Sequence, residues 1–84
     1  MEYCIIMCRS LTYAQRALRL LERENIRVRI SKAPQGVTPE GCSYGVRLSM
    51  ENLQRARAIL GMNGIRTGRV YRLDGKGGAW EIGS

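Results

Sequence analysis

Eighty-four residues, 44% of them hydrophobic and none of them histidine, describe one small domain with a core of its own. Without histidine there are no His-based triads, no imidazole general base and no Cys/His zinc site. Fourteen basic residues against seven acidic leave a net charge of +7, and twelve of the fourteen are arginine. That balance points to an anionic partner (nucleic acid, a phosphate or an acidic protein) or else to a solvated basic surface.

No apolar run approaches the roughly 20 residues of a membrane span. Met1-Glu2 leads straight into a strand-like run with no basic segment ahead of an apolar one, so the expected compartment is the cytoplasm. The cysteines are Cys4, Cys8 and Cys42. An odd number with no CxxC spacing argues against a disulfide framework and an all-cysteine metal site. Cys4 and Cys8, four apart on an extended chain, would stand roughly 13 Å from each other, too far to bridge.

Tyr3-Cys4-Ile5-Ile6-Met7-Cys8 is apolar in both phases and reads as a central strand. Ser10 or Thr12 can cap the helix that follows, in which Leu11, Ala14, Ala17, Leu18 and Leu21 recur at helical spacing. Asn25 is its expected stop. Ile26-Arg27-Val28-Arg29-Ile30 alternates strictly and predicts a strand with one buried face and one arginine face. Residues 32–43 hold two prolines and two glycines and predict a long loop. Tyr44-Gly45-Val46-Arg47-Leu48 alternates again. Ser49 is placed to cap a second helix with Leu53, Ala56, Ile59 and Leu60 inward, ended by Asn63-Gly64. Arg69 to Leu73 reads as the last strand. The Gly-rich run from residue 75 reads as a flexible tail, in which Ala79 to Ser84 either dangle or add a short edge segment.

An internal echo supports this order. At an offset of 39 residues, Ala17, Leu20, Leu21, Ile26 and Arg27 match Ala56, Ile59, Leu60, Ile65 and Arg66. Two related βαβ halves predict an α+β, ferredoxin-like βαββαβ split sandwich over residues 1–74, with residues 75–84 as the tail. Its sheet has four antiparallel strands, both helices on one face, strands one and three central, and strands two and four at the edges. The opposite face is then open and basic, carrying Arg27, Arg29 and Arg47, with Arg69 or Arg72 joining them.

Two constellations could carry function. Cys42, in Gly41-Cys42-Ser43-Tyr44-Gly45, is a thiol in a glycine-flanked loop, suited to act as a nucleophile or to hold a persulfide. The expected topology puts this loop near the helix C-termini, so activation would come from Lys32, Ser43 or nearby arginines rather than from a helix dipole. Cys8, just ahead of the first helix, competes as a reactive thiol or else fills core space. The second constellation is the arginine face, an anion-binding surface for RNA or an acidic protein. Stacking aromatics on the central strands are not evident, so RNA would be held by charge alone. Dimerisation through the sheet is a duller use of the same face. Gly75-x-Gly77-Gly78 lacks a following helix and a Lys-Ser/Thr pair, so it is not a phosphate loop.

Over residues 3–73 the chain resembles the selenium/sulfur carrier-like family of short bacterial and archaeal proteins. The resemblance rests on Tyr3-Cys4-Ile5-Ile6, Ser10 with Ala14 and Leu18, Leu20-Leu21, Ile26, Val28-Arg29 and Pro34. It continues through Gly41-Cys42-Ser43-Tyr44-Gly45-Val46-Arg47, Leu53-Gln54-Arg55-Ala56 and Gly64-Ile65. It implies that the loop cysteine, Cys42, carries sulfur or selenium. The protein would then be a non-enzymatic accessory that needs no cofactor and works with a protein donor or acceptor.

Overall fold

The computed structural model describes residues 2–33, 44–76 and 78–83. The elements, in chain order, are β1 (Tyr3–Cys8), α1 (Leu11–Arg23), β2 (Val28–Lys32), β3 (Tyr44–Ser49), a 3-10 turn (Met50–Asn52), α2 (Leu53–Met62), β4 (Thr67–Leu73) and β5 (Ala79–Gly83). The fold is α+β, with two helices and one five-stranded antiparallel sheet ordered β2-β3-β1-β4-β5.

The fifth strand corrects the four-stranded expectation. Strand four is not an edge, and the chain after residue 74 does not simply trail away. Asp74 turns it back: its Oδ1 accepts the backbone N–H of Lys76 at 2.7 Å and of Gly78 at 2.9 Å. Gly75, at φ +81°, takes the left-handed step that this turn needs. β5 then pairs with β4 from Ala79 opposite Leu73 to Gly83 opposite Val70.

The core follows from the two phases of β1. Cys4, Ile6 and Cys8 face the helices and pack with Ala14, Ala17 and Leu21 of α1, Leu53, Ala56 and Leu60 of α2, and Val46, Leu48 and Val70 of the flanking strands. Ile5 and Met7 face the other way and form a smaller cluster with Tyr71, against which Ala33, Leu73 and Ala79 pack. Ile5 is only 1% exposed, so the middle of the helix-free face is apolar and buried instead of open and basic.

Both helices end alike, and this explains where the strand boundaries moved. The Ile26 N–H donates to the Leu21 carbonyl at 3.0 Å, the Asn25 N–H donates to Glu22, and Asn25 sits at φ +64°. Thirty-nine residues on, Ile65 donates to Leu60 at 2.9 Å, Gly64 to Gly61, and Gly64 has φ +71°. These are paired Schellman caps, each burying an isoleucine just past its helix. Ile26 therefore spends its N–H on the cap, and β2 begins at Val28 instead of Ile26. Ser10 caps α1, accepting from the Tyr13 N–H. Ser49 makes no side-chain cap; it opens the 3-10 turn, and α2 starts at Leu53.

Candidate functional site

The cysteines separate by environment. Cys4 has no exposed surface, and burial pushes its thiol up to about 11, so at neutral pH it stays protonated and sealed. Cys8 is 3% exposed within the same core, with its Sγ 3.7 Å from the Ile6 carbonyl oxygen. A buried thiol on a packed strand lacks the access that a nucleophile needs. Cys42 and Ser43 lie outside the described residues. Lys32, the third member of that constellation, is exposed at the end of β2, opposite Tyr44.

The strand register locates the ends of the loop that carries Cys42. Lys32 faces Tyr44, and Gly45 faces Met7. Those flanks stand where β1 hands over to α1, so they share an end of the sheet with the α1 N-terminus. α2 finishes at that end as well, because β4 starts with Thr67 opposite Cys8. The flanks Lys32 and Tyr44 thus share their end of the sheet with the α1 N-terminus as well as the α2 C-terminus, where the sequence led only to helix C-termini; residues 34–43 between them lie outside the described residues. β2 runs parallel to β1 and so finishes where β1 finishes, which is where α1 begins. Gly45 fixes this end. A Cβ there would stand 2.5 Å from the Ile6 carbonyl oxygen, so β3 lies against β1 at a distance only glycine allows.

Arg27, Arg29 and Arg47 come together at the other end of β2 and β3, lining one open groove of about 620 Å³ with Tyr3, Glu22 and Glu51. Arg29 and Arg47 are direct cross-strand partners. The Arg47 guanidinium lies 4.8 Å from the centre of the Tyr3 ring. Neither Arg69 nor Arg72 lines this groove, although Arg69 shares the helix-free face, as expected of one of the two. Val70 belongs to the helix-side core and Tyr71 to the other, so Arg72 shares the helix side. There Arg72 pairs with Glu2 and lies over Trp80. Arg69, on the helix-free side, approaches Glu81 at 3.9 Å. Sequence reasoning missed Tyr3 in the groove. The signal was there, because Tyr3 shares the phase of Ile5 and so projects to the face that Arg47 occupies.

These features define a small α+β domain in which β2 and β3 flank the segment that carries Cys42, with an arginine groove at the far end of the same strands. The chain belongs to the family described as "Putative Se/S carrier protein-like", whose model matches residues 3–72. The match runs from the start of β1 to within one residue of the end of β4 and leaves β5 outside it. No curated protein and no solved structure matches the chain. Among the described residues, no helix is long and apolar enough to cross a membrane.

Proposed function

We propose that the protein is a non-enzymatic carrier that holds sulfur or selenium on Cys42 and passes it between protein partners. The observation that carries this reading is the burial of the other two thiols. With Cys4 and Cys8 packed in the core, the chemistry that the family description suggests falls to Cys42. Loading is a thiol exchange. The Cys42 thiolate attacks the outer sulfur of a donor protein's persulfide, the donor cysteine leaves as its thiolate, and Cys42 becomes a persulfide. Unloading is the same step in reverse sense, with an acceptor nucleophile taking the outer atom and the Cys42 thiolate leaving. No oxidant or reductant is consumed, and selenium in the outer position follows the same balance. Lys32 and Ser43 serve as local donors to the thiolate. The exposed position of Lys32 at the loop base supports its part.

The test is intact mass after incubation with a cysteine desulfurase and cysteine. Wild type gains the mass of one sulfur atom, reversed by a thiol reductant, and Cys42→Ala gains nothing. The same gain on Cys42→Ala, or none on wild type, refutes the reading.

A further inference from the structure

We infer that the groove of Arg27, Arg29 and Arg47 is a docking site for an acidic segment of a protein partner. The inference does not depend on whether Cys42 carries anything. It starts from two like charges placed opposite each other. Arg29 and Arg47 stand directly opposite each other on paired strands, an arrangement that destabilises a sheet when both charges have the same sign. Arg27 precedes β2 two residues before Arg29 and lines the same groove. Among the described residues none of the three forms an ion pair, although Glu22 and Glu51 line the groove with them. The fold therefore gathers three arginines along one groove without a carboxylate partner, Arg47 alone resting on an internal group, the Tyr3 ring. Arginine forks match carboxylates in two-point hydrogen bonds, which a lysine cannot do.

Size and lining narrow the occupant. A groove of about 620 Å³ is far larger than a lone inorganic anion and suits several side chains. It borders β2, which is an edge of the sheet, so an extended segment can reach it without displacing any strand. A nucleic acid fits less well. The Tyr3 ring, the aromatic in the groove, is already covered by Arg47, and Glu22 and Glu51 would repel a phosphate backbone. A peptide whose carboxylates meet the three arginines, and whose amides or basic side chains meet the two glutamates, satisfies every charge in the lining.

The experiment titrates the full-length protein into a fluorescein-labelled glutamate-rich peptide at low salt and follows anisotropy. An oligouridylate of equal charge is run alongside. Arg27→Ala/Arg29→Ala/Arg47→Ala is compared with Arg9→Ala/Arg19→Ala/Arg66→Ala, which removes the same charge from exposed positions outside the groove. The peptide should bind wild type, and the groove triple should lose about tenfold or more in affinity, the scale of one or two charge-assisted hydrogen bonds. The control triple should lose much less. Amide NMR shifts on wild type, which need no variant to fold, should move at Arg29, Arg47 and Ser49. Equal losses in both triples would reduce the effect to net charge and overturn the inference. Tighter binding of the oligouridylate, with the same residues responsible, would assign the groove to nucleic acid and overturn it too, as would no binding at low salt.

Discussion

Replacing Gly45 by alanine places a methyl carbon 2.5 Å from the Ile6 carbonyl oxygen, 3.0 Å from the Met7 Cα and 3.1 Å from Ile5 Cγ1. Two of these three atoms are backbone, and they belong to β1, which β4 holds from its other side. The clash cannot be relieved by turning a side chain. To restore an ordinary carbon–oxygen contact of roughly 3.3 Å, β3 must move away from β1 by several tenths of an ångström. Overpacking of a core costs about 1–3 kcal/mol, and a clash against fixed backbone belongs at the upper end. At about 4–8 °C per kcal/mol for a domain of this size, Gly45→Ala should lower the melting temperature by roughly 10–20 °C. Circular dichroism melts and urea titrations of wild type, Gly45→Ala and Gly68→Ala measure this. Gly68 is the control, because its added Cβ would meet Met7 O at 3.5 Å, an ordinary contact. A Gly45→Ala midpoint within a few degrees of both other proteins would refute the account of that close approach.

Gly61 lies inside α2 with open space around its missing Cβ, so Gly61→Ala should stabilise the protein by about 0.5–1 kcal/mol, read as a higher urea midpoint with an unchanged slope. The Cys4 thiol ionises at 9.0 when unburied and at about 11 in the fold. The folded state favours its neutral form. Its contribution to stability is therefore complete below pH 9 and is lost as pH rises through about 11. Urea midpoints of wild type should fall across that window, and those of Cys4→Ala, though lower throughout, should fall less steeply. A parallel fall in the two proteins would contradict the burial effect.

Much of the fold was legible because it depends on local patterns. Alternation in Tyr44 to Leu48 set β3, and Ala14, Ala17 and Leu21 set the inner stripe of α1. The 39-residue echo between Leu21 and Leu60 follows from two helices that end in the same cap and need a buried isoleucine in the same place. Boundaries slipped where a backbone group had two uses. The alternation of Ile26 with Val28 suggested a strand, but hydrogen bonding to Leu21 claimed its N–H first. Ala79 to Ile82 carries no strict alternation that would announce a strand. Its existence depends on Asp74 catching the chain within the glycine run, and that is a single side-chain choice. Phase alone placed Arg29 and Arg47 on one side. It gave no hint that Ile5, Met7 and Tyr71 would be buried there and interrupt the basic surface. The loop's end of the sheet needed the relative directions of β1, β2 and α1, which no single segment records.

The five residues of β5 decide what kind of boundary the sheet presents to other molecules. Without them, the seven residues from Thr67 to Leu73 would offer a row of unpaired amides and carbonyls beside the buried Val70 and Tyr71. Such a margin is a template on which a second chain can be added. β5 takes up the stretch from Val70 to Leu73 within the molecule and puts a shorter margin in its place, with the Glu81 carboxylate on it. A fragment trimmed to the family-matched residues 3–72 would lose this cover and expose β4 as an open margin.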